Sequence, residues 1–236
     1  MDERLKNIVD NLENMQIGLD EQFKFHCTQC GKCCIHREDI LLNPKDVYGM
    51  AKELGIEPKD FIDRYCEIYI GSDSKNPVVR LKPKGSVKRC PLLKDRKCMV
   101  HKAKPTVCAM FPLGRCLIVG GAEENADTAG SIQYIFNHPG CGDRSETHTV
   151  REWIESFGIP VEDEFFFKWQ EIVVLMSITF REAADRMNES SLNILWSAAL
   201  VTLYLYYDVE KEFLPQFEDN AREFEKLLNK CFPDGK

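Results

Sequence analysis

The sequence predicts an α+β chain. A cysteine-rich N-terminal domain of short strands and helices, residues 21–145, is followed by an all-helical C-terminal part, residues 146–236. Three observations predict this. Ten of the eleven cysteines lie between Cys27 and Cys141, and only Cys231 lies beyond. The short apolar runs EIYIG, PVVRLKP, CLIVGG and SIQYIF sit between polar turns in the first part and read as strands. From Thr149 onward, apolar residues recur at helical spacing. The seam between the parts is placed in the polar stretch GDRSETH, residues 142–148.

Each element has its own signal. In LLNPKDVYGMAKELG, Asn43 caps a helix whose first position is Pro44, where a missing N–H costs nothing. Val47, Met50, Ala51 and Leu54 then share one face, and Gly55 stops the helix. A second helix starts at Pro58 and runs to Cys66. The strands EIYIG and PVVRLKP follow, around the turn SDSKN. In the second part, Thr149 and Glu152 make a capping-box pair, and Gly158 ends that helix. The next helix, from about Glu162 to Met187, carries Trp169, Ile172, Val173, Met176, Phe180, Ala183 and Met187 as a core stripe. Its first-turn acids, Glu162, Asp163 and Glu164, suit the helix dipole. SLNILWSAALVTLYLYY, residues 191–207, falls short of a membrane span and contains Asn193, Ser197 and Thr202, so it reads as a buried helix. The last helix follows Pro215, with Phe217, Ala221, Phe224, Leu228 and Cys231 on its apolar stripe.

Bulk properties narrow the function. A chain of 236 residues makes one large domain or two small ones, and 44% hydrophobic residues suffice for a core. A net charge of −7 argues against a broad nucleic-acid face. The first twenty residues carry charges throughout and lack an apolar segment, so no secretory signal, no membrane association and a cytoplasmic location are expected. In such a reducing compartment stable disulfides are rare, and clustered cysteines point to metal.

The cluster itself is HCTQCGKCCIH, residues 26–36. Cys27, Cys30 and Cys33 follow C-x2-C-x2-C spacing, which lets one tight loop aim several sulfurs, and inward backbone N–H groups, at one point. Gly31 supplies the positive φ such loops need. Cys34 is adjacent to Cys33, and neighbouring side chains diverge, so one of the pair serves a second metal, a second cluster corner, or nothing. Downstream, Cys90, Cys98, His101 and Cys108, then His138 and Cys141, can fold back onto the loop and couple metal binding to folding. Zinc usually takes two CxxC knuckles or a CxxC with a His pair. A triplet plus a distant Cys-Pro, Cys90–Pro91, is closer to iron–sulfur ligation. All-sulfur donors suit both, with iron–sulfur slightly favoured over zinc.

Four stretches, FHCTQCGKCC (25–34), CPLLKDRKC (90–98), KPTVCAMFP (104–112) and the pair Cys141–Gly142, together resemble the YkgJ-type cysteine cluster family, also described as CxxCxxCC zinc- or iron-chelating proteins. The resemblance implies a metal-chelating domain whose metal residues are Cys27, Cys30, Cys33, Cys34, Cys90, Cys98, Cys108 and Cys141. One related branch is similar to flagellin lysine methylases. This chain departs from the family pattern at His101, where Tyr is usual, and at Lys104 and Ala109, where Arg is usual. The lost guanidinium forks weaken anion-binding ideas here.

The remaining residues have plainer readings. Cys66 reads as helix core, Cys231 as packing, and Cys116 as evenly balanced between ligand and strand residue. His26 and His36 flank the cluster, His138 is read as structural and His148 as a solvated loop residue. The basic run with Lys82, Lys84, Lys88 and Arg89 is a solvated loop that could offset thiolate charge. No phosphate-cradling loop, HExxH or GxSxG occurs. The leading functional reading is a metal or cluster carrier, or a module that docks on a protein partner. The second is an iron–sulfur enzyme, redox or lysine-methyltransferase-like, with a cofactor cleft. The third is thiol–disulfide exchange at Cys27 and Cys30, for which the surrounding pattern does not match a thioredoxin-like unit.

Overall fold

The computed structural model describes residues 11–38, 40–117 and 132–232. The chain is α+β and divides into two compact units, each made of two segments: residues 1–33 with 107–161, and residues 34–106 with 162–236.

The first unit opens with a single helical turn, α1 (Leu12–Met15). It runs straight into β1 (Gln16–Ile17), which pairs with β8 (Ile132–Phe136), and β8 pairs in turn with β7 (Leu113–Leu117), all antiparallel. A separate ribbon joins β2 (Gln22–His26) to β9 (Asp143–Thr149), from Gln22 opposite Thr149 to His26 opposite Asp143, with a bulge between Lys24 and His26. β2 alternates in and out: Phe23 and Phe25 are buried, while Gln22 and Lys24 face solvent. Thr149 then caps α5 (Val150–Ser156) through the expected reciprocal bonds with Glu152. Trp153 on α5 packs edge-on against Phe23 and Phe25, and its Nε1 donates to the Met110 carbonyl at 3.1 Å. These rings, with Tyr134, Val150 and Ile154, form the unit's core.

Sequence and structure part at three places here. Residues 142–148, read as the polar seam, fall almost wholly within strand β9 (Asp143–Thr149). Nearly every one of its residues is exposed, so no apolar alternation marks it. The predicted strand CLIVGG starts earlier, at Leu113, and its residues after 117 lie outside the described residues. His148 is not a solvated loop residue. It is half-buried on β9, with its ring 4.9 Å from Trp153 and Nε2 3.0 Å from the Phe25 carbonyl.

The second unit carries α2 (Pro44–Leu54), α3 (Pro58–Tyr65) and the hairpin β3 (Cys66–Ile70) with β4 (Pro77–Leu81). The Asn43–Asp46 capping box and the left-handed Gly55 bound α2 as expected. Cys66 is the first residue of β3, not the last of a helix, because α3 ends at Tyr65. It is buried, and that burial pushes its thiol up to about 12. The small hairpin β5 (Leu93–Lys94) with β6 (Lys97–Cys98) comes next. After α4 (Thr106–Met110), which straddles the seam, the unit resumes with three long helices: α6 (Glu164–Arg186), α7 (Glu189–Leu200), continued by a π-turn over Val201–Leu205, and α8 (Phe213–Cys231). On α6 the predicted stripe holds at Ile172, Met176, Phe180 and Ala183, and Phe165 and Phe166 join it. Phe180, Leu203, Phe217 and Phe224 are fully enclosed.

The 191–207 segment is helical through Leu205 but one-sided: Leu192, Leu195 and Ala199 are buried, whereas Ile194 is 70% exposed. Cys231 does not pack. It is exposed in the last turn of α8, beyond Leu228, where the apolar stripe has nothing left to cover. No described helix is long and apolar enough to cross a membrane.

Candidate metal centre

The loop after β2 carries little regular structure. Gln29 and Gly31 both take positive φ, +51° and +74°, and a 3-10 turn over Lys32–Cys34 follows. Those reversals aim backbone N–H groups into the loop. The Cys30 thiol consequently sits below its ordinary range. The Lys32 N–H contributes most and burial opposes it, while the Gly142 N–H and the Thr28 hydroxyl help.

The remote partner of this loop is Cys141. Its thiol is pushed up to about 11, first by burial and then by the charge of Cys33, Cys30 and Cys27, and it hydrogen-bonds with Cys30. Thiolates that face one another raise each other's pKa, and a bound cation would relieve that repulsion. Gly142 allows the approach. Its φ is +71°, and a Cβ there would stand 2.5 Å from the His26 carbonyl oxygen and 2.6 Å from the Phe25 ring. No larger residue fits without moving β2. Asp143, next in line, meets the His26 ring at 3.3 Å, and Asp143 lies low in pKa because the Ser145 hydroxyl and N–H bond to it, with His26 adding to the effect.

The other predicted ligands fall as follows. Cys108 is half-buried on α4 in the first unit. Cys34, Cys90 and Cys98 are half-buried in the second unit, where the Cys90 N–H donates to the Cys34 carbonyl at 2.8 Å. Cys141 is a remote sulfur that interacts with the triplet, through its hydrogen bond with Cys30 and the charges of Cys33, Cys30 and Cys27. Cys116 is half-buried on β7, its thiol 3.7 Å from the Gln133 carbonyl and raised in pKa by burial, which is the behaviour of a strand residue. His36 and His101 are exposed, and His138 meets Phe136 edge to face at 4.9 Å.

Among the described residues, which include all eleven cysteines, no disulfide is present. Nor are any three His, Cys, Asp or Glu side chains among them gathered as closely as a bound ion would gather them. The donor chemistry nonetheless fits a soft metal: sulfurs that repel one another, N–H groups directed at one of them, and a glycine that lets the remote strand close. Loading would draw the sulfurs together, so binding and local ordering are linked. A cleft of about 420 Å³ in the first unit opens beside Cys141 and Gly142, walled by Gln16, Phe23, Lys24 and His138, and gives a path in.

Two supports escaped sequence reasoning. One is the Gly142 N–H on Cys30. The other is Asp46, a buried carboxylate on α2. It accepts from the Thr106 N–H and hydroxyl, both at 2.7 Å, across sixty residues, and from the Asn43 N–H at 3.1 Å. Burial raises its pKa against those bonds. The only sequence trace of this second role is an acidic residue three positions after a helix cap, which capping alone already explains.

A chain with such a thiol set is a soft-metal chelator in chemical class. Comparison with known families agrees: residues 26–131 match the family described as "CxxCxxCC: Putative zinc- or iron-chelating domain". An uncharacterized protein of Methanocaldococcus jannaschii is 27% identical over 106 residues, which is 43% of this chain. The match covers 53% of that relative, so the chain spans about half its length. No solved structure matches the chain.

Proposed function

We infer that the protein is a cytoplasmic metal-binding module in which Cys27, Cys30, Cys33 and Cys141 hold an iron–sulfur cluster. The observation that carries this reading is the mutual repulsion of those sulfurs at a loop whose N–H groups already face Cys30. Three sulfurs from one loop and one from afar is the iron–sulfur pattern. Zinc is the other ion that an all-sulfur set accepts. The chain's own contribution is to orient the sulfurs, to offset their charge with backbone dipoles, and to exclude bulk around Cys141 with Phe25 and Gly142. The module acts as a carrier of the metal or as a platform for a protein partner.

The cleft beside Cys141 favours a second reading, an iron–sulfur enzyme of redox or lysine-methyltransferase-like type. Anaerobic purification followed by a visible spectrum and metal analysis tests both. A brown protein that contains iron and sulfide is the expected result. A colourless protein with stoichiometric zinc replaces the cluster by a zinc site, and a protein with neither metal removes the reading altogether. Reversible reduction of the chromophore by dithionite without iron loss marks the redox enzyme. Loss of iron to an apo-acceptor marks the carrier.

A further inference from the structure

We propose that residues 82–102 form a docking surface for an acidic protein, with Lys84, Arg89, Lys94 and Lys97 as its charged contacts. The proposal rests on the partner-platform reading above and gives that partner its chemistry.

Three observations carry it. First, charge is segregated along the chain. Residues 82–102 hold eight Lys and Arg against one acid, Asp95, a net of +7. The whole chain is −7, so all other residues together carry −14. The eight cations are exposed, and among the described residues only Lys88 of the eight is held in an ion pair, with Glu38 at 3.1 Å. Second, the backbone sets like charges face to face. Lys84 and Arg89 exchange both backbone hydrogen bonds, at 2.7 and 2.9 Å, and so stand directly opposite each other. Lys94 stands opposite Lys97 in the β5–β6 hairpin. Like charges directly opposite on paired strands repel and cost stability. An anionic partner would relieve both repulsions at once. Third, cations occupy turn positions that favour glycine or asparagine. Lys88 has φ +49°, and Arg96 has φ +62° in the turn that joins β5 to β6.

The surface is also held in place from beneath. The Val87 and Lys88 carbonyls accept from the His36 and Arg37 N–H groups at 3.0 and 3.3 Å. The Met99 N–H donates to the carbonyl of Leu92 at 2.9 Å, and Leu92 and Val100 are fully enclosed. The chemistry favours a protein over nucleic acid or membrane. Val87 and Met99 are 47% and 38% exposed within the stretch and offer apolar contact of the kind protein interfaces use. The stretch has no aromatic residue on which a base could stack. Nucleic acids and anionic bilayers extend their charge well beyond so short a patch, and the −14 of the remaining chain opposes them. An acidic patch on a compact protein is limited in extent and meets less of that opposition.

The test uses the full chain and three labelled probes: a short peptide of Glu, Asp and Leu, an oligouridylate of equal charge, and phosphatidylserine vesicles. Fluorescence anisotropy reads the first two and co-sedimentation the third. The wild type should bind the peptide most tightly of the three and release it as salt is raised. Arg89→Glu and Lys94→Glu should each weaken peptide binding about tenfold. Lys230→Glu, the same charge change in the last turn of α8, should leave it unchanged. Lys94→Glu should at the same time raise the midpoint of thermal unfolding, because it turns a repelling pair into an attracting one. Weaker binding by a more stable protein separates docking from a merely structural role. Metal content is measured on the same samples. Metal loss with unchanged peptide affinity in Lys94→Glu would assign the cations to the sulfurs and overturn the proposal. A wild type that does not bind the peptide, equal weakening by Lys230→Glu, or tighter binding of the oligouridylate or the vesicles overturns it too. A wild type that lacks metal yet binds the peptide removes the chelation reading and leaves this surface standing.

Discussion

The thiol-bearing loops and the long helices hold themselves together by different means. On α6 and α8, Phe180, Phe217 and Phe224 are wholly enclosed, and Phe165 lies 4.8 Å from Phe217, edge to face. In the loop 27–34 only Gly31 is buried, and the sulfurs of that loop repel Cys141. Apolar burial stabilises the helices whatever is bound. The loops have almost no such burial, and on the proposed reading a bound metal that neutralises the sulfurs would supply the missing order. The contrast is between a core that apolar burial alone sustains and a region that the proposed metal would complete.

That contrast can be broken or sharpened by experiment. Metal removal has the largest effect. Stripping should expose the amides of residues 27–34 and 137–142 to fast hydrogen exchange while the α6 and α8 amides keep their protection. Loss of protection in both regions at once would erase the distinction. Next comes Phe180→Ala, which should cost about 3–5 kcal/mol in denaturant unfolding without changing metal stoichiometry. Asp46→Ala should cost about 2 kcal/mol, since it leaves the Thr106 and Asn43 donors without their acceptor.

The same carboxylate gives a pH test. Burial raises the folded pKa of Asp46 above 3.8, so the folded state binds a proton in a range where the unfolded chain has lost it. Stability from this group therefore falls as pH rises through that range, and relative to Asp46→Asn the wild type should gain stability as pH falls toward it. Gly142→Ala should cost about 1–2 kcal/mol for the left-handed backbone alone, and should also loosen metal binding because β2 must shift. The smallest effect is Cys231→Ala, which should alter neither metal nor stability. Iodoacetamide should modify Cys231 in the folded protein and reach Cys66 only after unfolding.

Legibility in the sequence followed locality. The caps at Asn43 and Thr149, the stops at Gly55 and Gly158 and the stripe on α6 are written within a few residues each, and all could be read. The spacing of Cys27, Cys30 and Cys33 is just as local, and the turn that holds them, with Gly31 at positive φ, was legible for the same reason. The pairing of β2 with β9 was not, because β9 is polar on both faces and its partner lies over a hundred residues away. That missed pairing also hid what brings Cys141 to the first loop, since β9 starts two residues after it. Asp46 was hidden because capping already accounts for an acid at that position.

X-ray absorption at the metal edge of the anaerobically purified protein tests the central claim most directly, with wild type compared against Cys141→Ser. The account predicts a metal shell containing only sulfur in the wild type, and a lighter donor or lost metal once Cys141 is replaced. An unchanged all-sulfur shell with full metal content in Cys141→Ser would contradict it.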